Sequence, residues 1–296
     1  MGQFEDMTIF TRIVEAGGIS RAAEQLGIAK SAVSRRLGEL ERRLGVQLMN
    51  RSTRRYSLTE AGRNYYARAA QILSDTAELE AEVSERQGAL RGSVRMSLPL
   101  SFGLQHLAPA ILDFVRQHPD LTVDIDFSDR HVDLIEEGFD LAIRITDPKS
   151  STLIARKLTP IHFVLCASPA YLEKRGEPRH PDDLAGHDGV FYSNVPERSW
   201  TLISPEGRKF QAAPHMRMAA SNGDFLREAA IAGLGITRSP HFLVREALAE
   251  GRLRAILSDY TIPGLNAYAL YPQTRFLSRR VRAIIDLIVS ACRDCA

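Results

Sequence analysis

The apolar residues between positions 20 and 45 constrain the fold of this chain more than any other feature. They follow helical spacing in two short segments. The first ends at Gly27, and the second runs from about Ser31 to Leu44, where Gly45 terminates it. Two short helices joined by a tight turn at a glycine are typical of a helix-turn-helix unit. The residues predicted to face inward are Ala22, Ala23, Leu26, Val33, Leu37, Leu40 and Leu44.

The segments on either side complete a small domain. A preceding helix is predicted to end at Gly17-Gly18, and Ser20 is the expected N-cap of the helix that follows. After the second helix of the pair, residues 46–50 and 54–58 have the pattern of two brief strands with a polar tip. Such a hairpin is a wing, so the sequence predicts a mainly α winged helix-turn-helix domain over residues 1–58.

The basic residues are concentrated in this same region. The whole chain carries 38 Lys and Arg against 36 Asp and Glu, which gives a net charge of +2. Residues 29–55 include eight basic and two acidic residues, and eight minus two leaves a local charge of +6. A basic surface on this kind of domain predicts binding to the phosphates of double-stranded DNA, with the start of the second helix of the unit in the major groove.

A longer helix is predicted next, capped by Thr59 and continuing to about Arg86. Its inward positions are alternately four and three residues apart over nearly three heptads, which is typical of a helix that packs against another helix. A second copy of the chain is favoured as the partner, because glutamates occupy the other faces. The linker helix at 59–88 therefore predicts a homodimer and a DNA site with dyad symmetry. The seam consists of Tyr65, Ala69, Ile72, Thr76, Leu79 and Val83.

From Ser93 the pattern changes to strands that alternate with helices, which predicts an α/β domain with a mainly parallel sheet over residues 89–296. Two crossings between lobes are expected, with a hinged cleft between the lobes. The predicted division places residues 93–167 and 265–296 in lobe I and residues 168–264 in lobe II. The helix after the first strand is expected to bury Leu104, Leu107, Ile111 and Phe114.

These features together resemble the LysR-type transcriptional regulators, and the resemblance covers essentially the whole chain. In the N-terminal part it rests on Ala22-Ala23-x-x-Leu26, Ser31-Ala32-Val33-Ser34, Leu40-Glu41-x-x-Leu44-Gly45, Leu48-x-Asn50-Arg51-x-x-Arg54 and Leu58-Thr59-x-x-Gly62. The C-terminal part is similar to a branch of the family with mostly unassigned effectors, through Asp140-Leu141-Ala142-Ile143-Arg144, Leu165-Cys166-Ala167-Ser168-Pro169-Ala170-Tyr171-Leu172 and Gly233-Leu234-Gly235-Ile236. One departure is Ala29, where many members have a hydroxyl residue as a helix cap, so we expect a frayed first turn there.

The resemblance implies a fold, a function and a set of partners. The α/β part is expected to be a two-lobed effector domain of the periplasmic-binding-protein type. The protein is expected to bind promoter DNA, to respond to a small-molecule effector, and to assemble through its linker helix into a dimer of dimers that bends DNA. RNA polymerase is a further candidate partner. No cofactor, metal or membrane is expected.

Candidate DNA contacts lie on the exposed side of the third helix and on the wing. Ser and Arg side chains at the start of such a helix bond base acceptors or phosphates. Arg36, Arg42 and Arg43 are expected instead to be solvated or paired with glutamates of the same helix. Arg51 is either a DNA contact or a brace of the wing. The predicted contacts are Lys30, Ser31, Ala32, Ser34, Arg35, Arg51, Arg54 and Arg55.

Candidate effector contacts lie in loops at strand ends, where α/β folds bind ligands. The amides and the hydroxyl near Ser101 are expected to hold an anion or a carbonyl, and Ser221 occupies the equivalent place in lobe II. Alternatively, both serines only cap helices, and Arg144 is either a ligand contact or a buried brace. A free Arg144 predicts a small organic acid, with an aromatic acid as one option, because arginine binds carboxylates bidentately. The predicted contacts are Leu100, Ser101, Phe102, Gly103, Ser128, Arg144, Thr146, Ser221, Asn222 and Gly223.

The sequence argues against several other classes of protein. No apolar run of about 18 residues or more is present, and no secretory signal is expected. The eight histidines show no metal-ligand spacing, and no nucleophile elbow, phosphate-binding loop or dinucleotide fingerprint occurs, so a cleft enzyme is disfavoured. Three sparse cysteines are typical of a reducing cytoplasm. A redox-responsive regulator based on Cys166, Cys292 and Cys295 remains an alternative, whereas a purely architectural DNA binder would not need a two-lobed sensor.

Overall fold

The computed structural model describes residues 2–51, 56–83, 90–130, 132–148, 153–195, 197–273 and 277–293. Its N-terminal part contains the helices α1 (Gln3–Glu15), α2 (Ile19–Leu26) and α3 (Lys30–Leu44), the antiparallel strands β1 (Met49–Arg51) and β2 (Tyr56–Leu58), and the long helix α4 (Glu60–Val83). This order of elements confirms the winged helix-turn-helix and the long helix that follows it.

Glycine closes both helices of the helix-turn-helix unit. Gly27 and Gly45 have φ angles of 66° and 71°, the left-handed conformation that glycine adopts at little steric cost. The N-cap expected at Ser20 is wrong, because α2 begins at Ile19 and Gly18 is its N-cap. Leu44, which was expected to face inward, is 37% exposed at the end of α3. The buried core of the domain consists of Ile9, Phe10, Ile13, Ala16, Ile19, Ala22, Ala23, Val33, Leu37, Leu40, Leu48 and Met49.

The start of α4 packs directly on the backbone that leads into the wing. The Thr59 hydroxyl accepts a hydrogen bond from the Gly62 N–H at 2.9 Å and donates to the Gln47 carbonyl at 2.7 Å, which confirms Thr59 as a cap. A Cβ on Gly62 would lie 1.9 Å from the Leu48 carbonyl oxygen, so this approach requires glycine. The Leu58-Thr59-x-x-Gly62 motif therefore fixes the position of the helix on the wing.

Lobe I is a five-stranded sheet with helices on one face. Its strands are β3 (Gly92–Leu98), β4 (Leu121–Phe127), β5 (Leu141–Thr146), β6 (Leu153–Ile161) and β14 (Leu265–Pro272), in the order β4-β3-β5-β14-β6. The first three are parallel, and β14 is antiparallel to β5 and β6. The helices that share its core are α5 (Leu100–Phe102), α6 (Ala108–Gln117), the π-helical turn Gly103–Leu107 that joins α5 to α6, and α10 (Arg279–Arg293).

The π-helical turn changes which residues face the core. Leu107 and Ile111 are buried as expected, but Leu104 is 53% exposed. A π turn adds a residue to the helical repeat, which rotates the side chains before it relative to those after it. The expected inward position of Leu104 is therefore wrong.

Lobe II repeats this plan. Its sheet strands are β7 (Phe163–Ala167), β8 (Asp188–Tyr192), β11 (His215–Ala220), β12 (Ile236–Pro240) and β13 (Arg254–Ile256), in the order β11-β8-β12-β7-β13. A separate hairpin is formed by β9 (Trp200–Ile203) and β10 (Lys209–Ala212). The helices are α7 (Pro169–Arg175), α8 (Gly223–Ile231), α9 (His241–Ala249) and a 3-10 segment at Pro181–Gly186.

Two crossings connect the lobes. The first lies between Ile161 and Phe163, because β7 pairs with β12 and β13 of the second sheet. The second leads from β13 back to β14 at Leu265. The expected division at residue 167 therefore places β7 in the wrong lobe. A short apolar strand fits the core of either sheet, so its own sequence does not reveal which sheet it joins.

Candidate DNA interface and effector cleft

The first half of α3 has one buried and one exposed side. Val33 and Leu37 are buried against α1 and α2, which turns the opposite side of the helix outward. In the described part of the chain, no side chain caps this helix at Ala29, so its first N–H groups remain available to an anion. The exposed side consists of Lys30, Ser31, Ser34 and Arg35, with the half-buried Ala32 between them.

Arg35 is only weakly held by the protein. Its Nε lies 3.9 Å from the Glu39 carboxylate, and the two side chains are 70% and 46% exposed. An exposed ion pair of this kind contributes about 0–1 kcal/mol. The guanidinium can therefore leave Glu39 for a DNA acceptor at little cost.

Arg36 and Arg43 bind α1 instead of solvent. Arg36 donates to Asp6 at 3.3 Å and to Glu5 at 3.0 Å, and Arg43 donates to the other oxygen of Asp6 at 3.1 Å. The expected pairing with glutamates of α3 is therefore wrong for these two arginines, because their carboxylate partners lie on α1. Arg42 is exposed.

Glu41 connects α3 to the wing. Its buried carboxylate accepts hydrogen bonds from the N–H groups of Leu48 at 2.9 Å and Met49 at 3.2 Å. Two backbone N–H groups at the start of β1 are thereby satisfied without water. The acid is thus a structural residue that sets where the wing begins.

The wing is described only in part. The backbone of Arg51 ends β1 opposite Tyr56, and Asn50 Nδ2 donates to Ser57 Oγ across the hairpin at 3.1 Å. Arg54 and Arg55 lie outside the described residues. The DNA contacts expected of all three arginines stay predictions.

Hydrogen bonds between described residues join the lobes across the cleft. The Ser101 hydroxyl of lobe I donates to the Asp224 carboxylate of lobe II. Asn194 Nδ2 of lobe II donates to the Asp129 carbonyl of lobe I at 2.9 Å. Asp224 also accepts from Arg227 Nη1 at 2.9 Å, which holds its carboxylate in place. The lobes are therefore linked through the same loops that were expected to bind the effector.

The amide that was expected to hold a ligand anion holds a carboxylate of the protein. The Leu100 N–H donates to Asp129 Oδ1 at 3.2 Å. Burial raises the pKa of Asp129, while the Leu100 N–H, the charge of Arg144 and the Tyr192 hydroxyl act in the opposite direction. Asp129 thus occupies the anion position predicted at the start of α5.

Arg144 braces two strands of lobe I. Its Nη1 donates to the carbonyls of Ile143 at 2.7 Å and Ser97 at 3.3 Å, and its Nη2 donates to the Ser97 hydroxyl at 2.7 Å. Burial lowers the pKa of this guanidinium, against the opposing influence of Asp129 and Asp126. All of these hydrogen-bond acceptors are neutral. The brace, which is one of the two alternatives for Arg144, is therefore present.

The two serines do not cap helices as was considered. Asn222 is the N-cap of α8, where its Oδ1 accepts from the Phe225 N–H at 2.9 Å, and Ser221 is exposed beside it. The N-cap of α5 is Pro99, and the Ser101 side chain reaches Asp224 instead.

The remaining predicted contacts have separate positions. Phe102 is 1% exposed and belongs to the lobe I core. Gly103 and Gly223 are close to neighbouring side chains, because a Cβ on either would lie within 3.0 Å of one. Ser128 follows β4 and Thr146 ends β5, so both lie at the strand ends where they were predicted.

Sequence reasoning missed part of the polar lining of the cleft. Asp129 follows β4, Tyr192 ends β8, and Asn194 comes shortly after it. Asn194 donates to the Tyr192 hydroxyl at 3.2 Å, and burial raises the pKa of Tyr192 to about 12. The strand-end rule that found Ser128 also identifies these residues once β8 is recognised as a strand.

Comparison with known proteins agrees with this arrangement. The model of the bacterial regulatory helix-turn-helix protein, lysR family, matches residues 4–63, and the LysR substrate binding domain matches residues 87–293. The chain belongs to the LysR family. It is a DNA-binding transcription regulator with a C-terminal effector-binding domain.

Relatives of this LysR-family chain are similar along its whole length. The HTH-type transcriptional regulator CrgA of Neisseria meningitidis serogroup C is 36% identical over 96% of this chain and 95% of its own. The solved structure of CrgA from Neisseria meningitidis has a TM-score of 0.61 at 35% identity, covering 97% of this chain and 98% of that one. The Vibrio cholerae virulence activator AphB has a TM-score of 0.61 at 29% identity, covering 98% and 99%.

The described residues of this LysR-family chain form neither a metal site nor a membrane span, and their cysteines are buried. Over the residues that the structure describes, no group of His, Cys, Asp and Glu is arranged to hold a metal ion. Within the same residues, no helix combines the length and the apolar character that spanning a bilayer requires. Cys166 and Cys292 are both buried, and burial raises the pKa of the Cys166 thiol to about 12.

Proposed function

We propose that this LysR-family regulator binds a dyad-symmetric operator as a homodimer and that a small organic acid in the interlobe cleft controls this binding. The observation that carries the proposal is the exposed side of α3, opposite a fully buried side and adjacent to a basic wing. This side carries the amine of Lys30, the hydroxyls of Ser31 and Ser34 and the guanidinium of Arg35. The ion pair of Arg35 with Glu39 is weak.

The DNA contacts divide by chemistry. Arg35 and Ser34 are proposed to read base edges in the major groove, because Arg is a bidentate donor to guanine and Ser bonds base acceptors. Lys30 and Ser31 are proposed to contact phosphates at the start of the helix. The wing arginines, which are Arg51, Arg54 and Arg55, are proposed to contact the backbone beside the groove.

The exposed side of α4 is proposed to form the dimer contact. Ile72 is 42% exposed, whereas Ala69, the preceding seam residue, is 1% exposed against its own chain. An apolar side chain left open on a long helix fits packing against the α4 of a second copy. The dimer then places two α3 helices on a twofold axis, and we propose that two such dimers associate on DNA.

We propose that the carboxylate of the effector replaces carboxylates of the protein at hydrogen-bond donors in the cleft. Asp129 occupies the Leu100 amide, and Asp224 occupies the Ser101 hydroxyl. An effector carboxylate uses the same donors and the nearby Arg144, so it displaces the bond that links the lobes. The ligand-bound state then lacks a bond between the lobes that the ligand-free state has, so the two states differ in lobe separation. A ligand that makes different contacts in two states can shift the equilibrium between them.

Gel-shift titration of the purified full-length protein with DNA from the region upstream of its own gene tests the DNA half of the proposal. We expect Arg35→Ala to lose discrimination between this fragment and random DNA, while Arg42→Ala, an exposed arginine on the same helix, retains it. A strictly monomeric protein that ignores duplexes at low ionic strength would refute the proposal.

Thermal-shift titration with a panel of small carboxylates tests the effector half. We expect at least one acid to raise the melting temperature of the wild-type protein and to change its gel shift, and we expect Arg144→Gln to weaken both effects. If no carboxylate stabilises the wild-type protein, the proposed effector class is wrong even where DNA binding is retained.

A regulator that senses a ligand is favoured over a redox sensor and over an enzyme. The reactive form of cysteine is the thiolate, and a pKa of about 12 leaves Cys166 protonated at neutral pH. Cys292 is 1% exposed, and Cys295 lies outside the described residues. We therefore propose that the protein acts on cytoplasmic DNA by binding alone.

A further inference from the structure

Arg238 is a cation at the hinge between the lobes. It lies in β12, the middle strand of the lobe II sheet, as Arg144 lies in the middle strand of lobe I. Its guanidinium carbon is 4.1 Å from the ring centroid of Phe163, which follows the first crossing. Its Nη2 donates to the carbonyl of Pro263, in the second crossing, at 3.4 Å. Arg238 therefore contacts both segments that connect the lobes.

The charge of Arg238 has no counterion in the protein as described. Its Nε is buried and lacks a hydrogen-bond partner among the described residues, and no described carboxylate influences its pKa. Burial alone lowers the pKa of this guanidinium, with no acid acting against it. Arg144 differs in this respect, because Asp129 and Asp126 oppose the effect of burial there.

The neutral contacts of Arg238 do not replace an anion. The Phe163 ring attracts the cation through its quadrupole, and the Pro263 carbonyl accepts one N–H, but a guanidinium carries five donors. The guanidinium is half-buried, but its Nε is fully buried and lacks the partner that buried donors have as a rule, and a bound ligand would supply one. Oxyanions suit this group because two of their oxygens bond two adjacent N–H groups at once.

We propose that Arg238 is an anion-binding residue at the hinge, and that the ligand of this regulator places a carboxylate or a phosphate group on its Nε and Nη atoms. The inference rests on the ligand-sensing role proposed above. It means that the ligand contacts Arg238 in lobe II as well as Arg144 in lobe I. Nε is buried in this structure, so the anion reaches it only after a rearrangement at the hinge, which the proposed opening of the Ser101–Asp224 bond supplies. Neutralising Arg238 at the hinge then stabilises the rearranged lobes.

The test compares full-length wild-type protein with Arg238→Met, Arg238→Lys and Arg208→Met. Arg208 is the matched control, because it also lies over a phenylalanine ring, at 5.2 Å from the centroid of Phe210, but is exposed. Melting temperatures are measured in acetate, succinate, benzoate and inorganic phosphate, each against chloride at equal ionic strength. The carboxylate and phosphate arms distinguish the two sources of the oxyanion.

We expect at least one of these anions to stabilise the wild-type protein and Arg208→Met alike. In Arg238→Met the apparent affinity for that anion falls by about tenfold or more, which corresponds to about 1.4 kcal/mol. In Arg238→Lys it falls less, because the charge remains and the two-point geometry is lost. In chloride, Arg238→Met melts close to the wild type, because the half-buried guanidinium has only a ring and one carbonyl to lose.

The proposal is overturned if the anions raise the melting temperatures of wild type and Arg238→Met equally. The same holds if they raise neither. Should Arg238→Met not fold, equal affinities of wild type and Arg238→Lys overturn it in the same way. Arg144→Gln, measured in the same anions, keeps the two proposals apart. Anion effects that depend on Arg144 but not on Arg238 leave the proposed function intact and remove only the hinge site.

Discussion

Arg35 and Arg36 are neighbours in the sequence and have opposite environments. Arg35 is 70% exposed and lies 3.9 Å from Glu39, whereas Arg36 is 10% exposed and bonded to Glu5 and Asp6. Successive side chains on a helix point in different directions, so one of the pair faces outward and the other faces α1. Both arginines add to the positive charge of this segment, but only Arg35 is exposed on the side that is proposed to contact DNA.

We predict different consequences for removing each of these arginines. Arg35→Ala should cost about 1–3 kcal/mol of operator binding and leave the melting temperature unchanged, because it removes a base contact from an exposed position. Arg36→Ala should destabilise the domain by about 1–3 kcal/mol, because Asp6 loses one of its two partners. Gel shift and thermal melting of both variants check this. Equal effects of the two variants on operator binding at a temperature where both are folded would contradict the assignment.

Asp140 makes a pH-dependent contribution to stability. Burial raises its pKa from 3.8 to about 6, although the Arg95 N–H bonds it and the charge of Arg280 favours ionisation, with Asp75 acting in the opposite sense. Because the folded pKa is the higher one, the folded state binds more protons between pH 3.8 and about 6. The free energy of unfolding therefore falls as pH rises through this window, by up to about 3 kcal/mol.

We predict that Asp140→Asn removes this pH dependence. The amide oxygen still accepts the Arg95 N–H, but no charge has to be buried above pH 6, so the variant should be more stable than wild type at pH 7.5 and similar to it at pH 4. Chemical denaturation at both pH values, followed by circular dichroism, measures the difference. Asp124→Asn, at an exposed partner of Arg95, is the control. Parallel curves for wild type and Asp140→Asn would disprove the effect.

At the scale of elements, one glycine sets how the linker helix α4 packs on the wing. Any Cβ at Gly62 would meet the Leu48 carbonyl at 1.9 Å, and backbone at that distance must move. We predict that Gly62→Ala destabilises the N-terminal domain by about 1–3 kcal/mol and weakens DNA binding by displacing the wing. Gly186→Ala is the control, since a Cβ at Gly186 meets nothing within 4 Å. Thermal melting and gel shift of both variants decide the matter, and equal behaviour would show that the contact adapts freely.

The elements that could be predicted are those whose signals are local. The glycines at 27 and 45 end α2 and α3, and the apolar spacing between them defines the buried side of α3. The lobe assignment of β7 could not be predicted, because its pairing with β12 and β13 depends on distant strands. The exposed position of Leu104 could not be predicted either, because a π turn has no periodic signature in the sequence.

The sequence predicts where the residues of the candidate site lie, but it does not predict their hydrogen-bond partners. Strand-end loops correctly drew attention to Ser101 and Arg144. The partner of Ser101 is Asp224, which is 123 residues away on the other lobe. The hydrogen bonds of Arg144 to Ser97 depend on the pairing of β3 with β5. Such contacts follow from tertiary structure alone, so the protein's own carboxylates could not be recognised as occupants of the predicted anion positions.

At the scale of the whole molecule, a buried arginine connects the linker helix to the effector domain. Arg280, at the start of α10, is fully buried. Its Nη2 donates to Asp75 of α4 at 2.8 Å and its Nε donates to the Ser93 carbonyl of lobe I at 2.9 Å. At a second contact, a Cβ on Gly138 of lobe I would lie 3.2 Å from Ala67 of α4. These contacts join lobe I to the helix that follows the DNA-binding domain.

We predict that Asp75→Ala loosens this connection without unfolding the lobes. Arg280 keeps its bond to the Ser93 carbonyl but loses a charged partner, which should cost about 1–3 kcal/mol and speed amide exchange in the described part of α4. Hydrogen exchange followed by mass spectrometry measures this. Asp286→Ala is the control, because it breaks an exposed ion pair of α10 with Arg156 that does not involve α4. Asp75 also accepts from Gln71 within α4, so Gln71→Ala is a second control. Faster exchange in α4 in Asp75→Ala but in neither control would mean that the helix is coupled to lobe I through this ion pair. Equal exchange in all three variants would mean that packing near Gly138 couples them instead.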